Sequence, residues 1–422
     1  MFFCCRRKIQ PTIHFGFLPK TFPRSTLIDT EPKSLNAHIN RIAHNLPMLL
    51  KEGKLLDEIT TLDAKFSQNL IKIADAEDKA TAILMLTMIS QAYIFNDPKN
   101  PQKSLPSVLS KNLIKLCEDR NIHIITYDDY ILHNFTLLDK KKGFSLENIE
   151  PLFTFTDSSH EKGFIKIHVA IEAACSKALD LIREIAVLKQ LKNDDPFQAQ
   201  FIDKQTLVCL QEIAQALKVS GTLLQAMYSQ CDSNFFTNNL RPYVTGWGVV
   251  SNLTADGKIQ SGVKLTLEED SEKLYSYQGP SGAQSSILPA FDAFLDVHHE
   301  PGTPVHNFQA YMPQKDRAFI QDAAKAGIKN LNNNHEGSSL VTEDADVKKA
   351  YETAIGRLAA FRKLHKNIVH HYLGIEKNVA HSDVKGTGGT NPISFLGALI
   401  EDTLKKISQV SDNHQRTQQI RG

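Results

Sequence analysis

The stretch Arg357–Phe395 reads RLAAFRKLHKNIVHHYLGIEKNVAHSDVKGTGGTNPISF, and the rest of the chain is organised around it. Its first half places Leu358, Phe361, Ile368 and Tyr372 at helical spacing, which predicts an amphipathic helix. His365 falls on the same apolar stripe, four residues after Phe361 and three before Ile368. A neutral imidazole on a buried face needs a partner, because an unsatisfied buried polar group costs roughly 1–3 kcal/mol. The commoner partner is a backbone carbonyl, which makes a core histidine. The other is a metal ion, since imidazole ligates iron and zinc. Arg362 lies one turn earlier on nearly the same side, as a cation placed to hold an anion beside that ligand would.

The second half is glycine-dense at Lys385-Gly386-Thr387-Gly388-Gly389-Thr390 and leads into a short helix predicted from about Ile393 to Lys406. Glycine there lets backbone approach a ligand closely. The Lys-Ser/Thr pair of a phosphate-binding P-loop is missing, so the stretch reads as a lid over a pocket.

Outward from this segment, helical periodicity dominates. Ile39, Ile42, Leu46, Leu49 and Leu50 recur at helical spacing, and Asp75–Phe95 is long, apolar and closed by Asn96-Asp97-Pro98. Leu105-Pro106 starts a further helix, while Ile122–Asp129 has a β-like composition and Tyr127–Asn134 equally suits a helix. A helix from Gly163 to about Leu191 carries Phe164, Ile167, Ile171, Ala174, Cys175 and Ile182 on one face, and His168 shares that face. Two histidines on apolar stripes are either two satisfied core residues or a pair flanking a planar cofactor. Gln205–Ser229 is another amphipathic helix, and Val250–Thr266, centred on Asp256-Gly257, reads as one small hairpin. The class is all-α with a minor β excursion. The charged turn Asp139–Gly143 divides a smaller N-terminal helical domain (1–142) from a larger one (143–410), and 411–422 reads as a disordered tail.

Composition narrows the function. With 48 basic and 47 acidic residues the formal charge is +1, which gives no electrostatic reason to expect nucleic acid or an anionic membrane as partner. The six cysteines show no C-x-x-C pair, the usage of a reduced compartment. The opening MFFCCRRK has its basic residues after a short apolar run, the wrong order for a signal peptide, and no uninterrupted apolar run reaches the ~18 residues of a membrane span. The expectation is a cytoplasmic monomer.

Three blocks carry a family resemblance. F-R-x-x-H followed by G-T-G-G-T-x-x-x-x-F-L, the run Gln278–Ser286 leading into Phe291-Asp292, and Tyr311-Met312-Pro313 with Arg317 and Phe319 occur in the order of the indoleamine 2,3-dioxygenase family. The chain resembles a bacterial-type member of it, related to the tryptophan 2,3-dioxygenases, from Gly16-Phe17-Leu18-Pro19 to the glycine-rich loop. The resemblance implies haem b between the two domains, with His365 as the proximal iron ligand and the sixth position left to O2. It implies that Arg362 pairs with a haem propionate, that Asp292 is linked to Arg362, and that Ser281, Gly282 and Ala283 line the haem edge and the substrate pocket. It gives Arg241 to the substrate carboxylate, Phe236 to the indole ring, Tyr127, Tyr130, Ile131, Phe164 and Ile165 to the distal wall, and Thr387 to the lid.

His168 stands where mammalian members carry serine and where the tryptophan 2,3-dioxygenases place histidine, so it is read as orienting the indole N–H. His370 and His371 leave the apolar stripe and read as solvated; His298, His299 and His381 read as loop residues. The implied reaction is haem-dependent opening of the indole ring of L-tryptophan, or a related indoleamine, by O2 to N-formylkynurenine, the first step of kynurenine-type catabolism. Departures at Tyr130, Ile165 and Thr237 suggest a different indole as the alternative. A non-catalytic haem- or indole-binding protein is the other.

Overall fold

A helix without a polar face has to be surrounded, and the chain does this around Ala76–Ile94, where every residue from Thr81 to Ala92 is buried. The computed structural model describes residues 15–28, 31–118, 120, 123–190, 196–253, 257–267, 270–300, 303–327, 345–373 and 391–421, with backbone alone for 188–190, 196–200 and 408–421. In chain order the first helices are α1 (Leu35–His44), α2 (Leu46–Lys51), α3 (Leu55–Phe66), α4 (Ala76–Ile94) and α5 (Ser107–Glu118). The side chain of Asp75 caps α4 by accepting from the Asp78 amide at 2.9 Å, and α1, α2, α3 and α5 pack around it.

Next come α6 (Ser159–Gln190), α7 (Pro196–Gln225), the single turns α8 (Met227–Gln230) and α9 (Ser233–Phe235), α10 (Ile287–Leu295), α11 (Pro304–Phe308), α12 (Gln314–Ala326), α13 (Ala345–Leu373) and α14 (Pro392–Arg421). Helix α7 packs between α6 and α13, and α14 lies on α13; α10 and α12 close against α6. The stretch Phe201–Gln230 is long and apolar enough to cross a membrane, but in this fold it fills the space between two helices. One apolar cluster runs through the molecule, from Phe17 to Leu373.

The all-α expectation with a minor β excursion holds, with differences of detail. Val250–Thr266 is not one hairpin. β3 (Ser251–Leu253) pairs with β4 (Ile259–Ser261), but β5 (Val263–Thr266) turns away to pair with β6 (Glu272–Tyr275), aligning Lys264 with Leu274. Gly262, at φ +147°, permits this break: a Cβ there would lie 2.6 Å from the Tyr275 carbonyl oxygen. β1 (Thr136–Leu137) pairs with β2 (Ile149–Glu150), so the charged Asp139–Gly143 turn, where the domain boundary was expected, lies in a hairpin loop. Asp128–Leu132 is a π turn rather than a strand. The last helix passes the expected end at Lys406 and continues to Arg421, so its backbone is helical through most of 411–422, the region read as a disordered tail.

The two halves are joined by a buried polar knot. Trp247 is fully buried, and its indole Nε1–H donates to Gln91 Oε1 at 2.7 Å. Gln91 Nε2 donates in turn to the carbonyls of Tyr243 (2.9 Å) and Thr245 (3.0 Å). One amide on α4 thus satisfies the buried indole N–H and two part-buried carbonyls of the segment leading to the site. Gln91→Leu strands all three, and an equilibrium urea titration is expected to show a loss of about 2–4 kcal/mol.

Candidate functional site

The stripe read from Leu358, Phe361, Ile368 and Tyr372 is buried on α13, and it presents His365 to a cavity of about 200 Å³. His370 and His371 are exposed, as their helical phase requires. Helix α6 brings Phe164 and His168, one turn apart, to the same cavity. The other walls are Phe236, the loop Pro280–Ala283 with Ser285, Asp292 of α10, Arg362 of α13, and apolar side chains of α8, α11 and α14. Rings continue the wall: His168 and Phe164 lie 4.4 Å apart by centroid, Phe164 and Phe236 5.5 Å, Phe236 and Tyr372 5.5 Å.

The two imidazoles differ in their partners. His168 Nδ1 lies 2.8 Å from the Phe164 carbonyl oxygen, which only accepts, so Nδ1 carries the proton and Nε2 keeps its lone pair. Burial lowers the pKa of this ring and holds it neutral. His365 has no hydrogen-bond partner among the described residues, so the carbonyl-bonded core histidine is not what is found there. Burial, with the His168 imidazole adding to it, pushes its pKa down to about 4, which leaves a neutral ring with a lone pair to give.

At the cavity edge, Arg362 is 1% exposed and donates from Nη2 to Asp292 Oδ2 at 2.5 Å and from Nη1 to Thr403 Oγ1. Its pair is therefore interior, not a surface ion pair. Burial alone would raise the Asp292 carboxyl, but Arg362 and His299 outweigh it and hold it below its ordinary value. Among the described residues, Arg362 Nε and Asp292 Oδ1 have no partner. A buried N–H of this kind fits an anionic group. An unpartnered neutral imidazole, an apolar wall and a buried donor without a partner are together a set of groups that fits haem.

Of the motif blocks, the first and second line the cavity, and the third is tied to the second from outside it. The Gln278 amide donates to the Tyr311 hydroxyl at 2.8 Å, and Phe319 packs edge-on against Phe17 at 5.4 Å. Ser281 begins a 3-10 turn, Gly282–Gln284, by accepting from the Ala283 amide at 3.3 Å. Gly279 tolerates no side chain, because a Cβ would fall 2.1 Å from the Val244 carbonyl oxygen.

Several predicted site residues stand outside the cavity lining. Tyr127 is one layer behind, 5.9 Å edge-on to His168, with its hydroxyl donating to Glu172 at 3.3 Å. Tyr130 is buried and donates to Glu161 at 3.1 Å; Ile131 and Ile165 are core residues. Arg241 is half-buried at the start of a 3-10 turn, Arg241–Val244, and does not line the cavity either. Thr387 and the glycine-rich loop, with His381, lie outside the described residues.

Sequence reading missed two groups. His299, taken as a loop residue, lies between two carboxylates, with Nε2 3.1 Å from Asp292 Oδ2 and Nδ1 3.0 Å from Asp402 Oδ2. Glu172, one turn after His168, accepts from Ser285 Oγ at 2.7 Å. The i, i+4 spacing of His168 and Glu172 was visible; their partners were not.

The sequence matches the family described as Indoleamine 2,3-dioxygenase over residues 8–406. It is 28% identical to indoleamine 2,3-dioxygenase 1 of Mus musculus over 86% of this chain and 88% of that protein. It is 25% identical to the 6-hydroxytryptophan 2,3-dioxygenase of Fusarium equiseti, covering 93% and 95%. With the indoleamine 2,3-dioxygenase of Saccharomyces cerevisiae it shares 25% identity, covering 93% and 91%. The chain belongs to the indoleamine 2,3-dioxygenase family. It is an oxidoreductase of the dioxygenase class.

Burial raises the Glu172 carboxyl to about 8, so it is protonated in the folded protein at neutral pH. The unfolded carboxyl ionises near 4.3, so folding stability falls as pH rises from about 4.5 towards 8. Glu172→Gln is expected to flatten that slope, read from urea midpoints at pH 5, 6, 7 and 8.

Proposed function

We propose that the chain binds haem b through His365 and opens the indole ring of L-tryptophan with O2 to give N-formylkynurenine. The observation that carries this is the pair of neutral imidazoles, His365 unpartnered among the described residues and His168 with a free lone pair, lining one apolar cavity beside the buried Arg362. Bound haem would supply the iron that activates O2 for addition across the indole C2–C3 bond. His365 would hold the iron and Arg362 a haem carboxylate, with Asp292 setting the guanidinium and Ser281, Gly282 and Ala283 lying along the edge.

The protein's own part is orientation and exclusion of water. Nε2 of His168 accepts the indole N–H, because Nδ1–H is already committed to the Phe164 carbonyl. Phe164 and Phe236 give the ring an aromatic wall. Arg241 grips the substrate carboxylate and Thr387 closes over it; both roles come from the family resemblance. Tyr127 backs His168, and Tyr130, Ile131 and Ile165 act as supporting core. The hairpin loop at Asp139–Gly143 is the division between a small and a large helical domain.

A different indole has less support. Of the departures that suggested one, Tyr130, Ile165 and Thr237, none lines the cavity, and Thr237 spends its hydroxyl on the Tyr372 carbonyl at 3.0 Å. The family's reaction also favours an enzyme over a silent binder.

The test is anaerobic reduction of the haem-loaded protein, then tryptophan and O2, with N-formylkynurenine identified by mass. His365→Ala is expected to abolish the Soret band and the product while far-UV circular dichroism stays helical. An unchanged spectrum and retained turnover would remove the reading. His168→Ser removes one neutral hydrogen bond, so KM for tryptophan should rise about 2–10-fold with turnover retained. Complete loss of turnover with a normal Soret band would contradict an orienting role.

A further inference from the structure

His299 sits where three helices meet, and both of its ring nitrogens face carboxylates. Asp292 comes from α10 and Asp402 from α14, at 3.1 and 3.0 Å, and the imidazole side chain is 6% exposed. Carboxylate oxygens accept and do not donate, so two such contacts require a proton on each ring nitrogen. The proton belongs on the ring and not on an acid. Asp292 is held ionised by Arg362 of α13, which shares the same Oδ2, and Asp402 has Lys405 of its own helix 3.5 Å from Oδ1. The neighbouring cation Lys406 of α14 is committed elsewhere, to Asp296, which His298 also contacts. Within the buried part of the cluster, leaving aside Lys405 whose side chain is 66% exposed, two cations, Arg362 and His299, balance two anions, Asp292 and Asp402. Without the ring proton the cluster carries a net negative charge in a buried place, which low dielectric penalises.

We propose that His299 is a positioning residue of the pocket. Held as an imidazolium between Asp292 and Asp402, it fixes the carboxylate against which Arg362 is set, so that the unpaired guanidinium N–H meets an anionic group at the cavity edge. The proposal rests on the haem reading only for the identity of that anion, a haem carboxylate. Burial opposes the charge on this ring, but its two carboxylates outweigh burial and raise its pKa. The cationic form is therefore retained above the ordinary imidazole value of about 6.5 and lost as pH rises through the raised one.

The full-length protein tests this in three ways. In hemin titrations followed by absorbance, wild-type affinity is expected to fall at a pH step above 6.5. His299→Gln should weaken hemin by at least about tenfold and lose the step, with the Soret position unchanged because His365 is untouched. In the haem-free protein, the part of the stability that disappears above pH 6.5 in the wild type should be absent in His299→Gln. Nitrogen-15 spectra of the wild type should show both ring nitrogens of His299 protonated at pH 6.5. A singly protonated ring at that pH, or a variant with wild-type affinity and the same pH step, overturns the proposal. If His299→Gln does not fold, Asp402→Asn takes its place and should move the step to lower pH; an unmoved step overturns it equally. Should the wild type fail to bind hemin, the haem reading falls, and the spectra and the haem-free stability profile still decide the state of His299.

Discussion

A guanidinium with almost no solvent contact must be paired within the protein, and Arg362 sets that demand for the C-terminal half. Its partners come from two other helices, Asp292 of α10 and Thr403 of α14. Removing one partner of a buried ion pair typically costs about 3–5 kcal/mol, because the remaining charge is stranded. The pairing therefore fixes how α10, α13 and α14 approach one another. His365 lies three residues further along α13, so its direction into the cavity follows from the same constraint.

The opposite demand operates inside the cavity. Apolar walls keep both imidazoles neutral, and neutrality is what each proposed role would require: a lone pair for a metal on His365, a lone pair for a substrate N–H on His168. The charged groups stand at the edge and behind it, where Arg362, Asp292, His299 and Asp402 balance one another. On α6, Glu172 is kept protonated by burial and takes hydrogen bonds from Tyr127 and Ser285. The pocket is thus electrically quiet in its interior and polarised at its rim, an arrangement suited to gas and an aromatic ring inside and a carboxylate outside.

Among the relatives, one is named for a hydroxylated tryptophan and others for indoleamine. The cavity lining does not contain Tyr130, Ile165 or Thr237, the positions that suggested a different indole. Tyr130 shows why a sequence position is a poor guide to pocket shape. It was counted among the departures that suggested a different indole, yet its ring packs against Phe155 and its hydroxyl is taken by Glu161.

The long helices α4, α6 and α13, the apolar stripe carrying His365, the second stripe carrying His168 and the solvated His370 and His371 were determined by sequence alone. Each depends on periodicity within a single helix, which the order of residues records directly. The three motif blocks, and with them Arg362 and Asp292, were equally legible by resemblance. Only the tertiary structure decided which residues meet across the chain. His299 finds Asp402 at a separation of 103 residues, and Ser285 finds Glu172 at 113. No local pattern marks such contacts, because the partner of a buried polar group is set by the packing of helices and not by spacing along one of them.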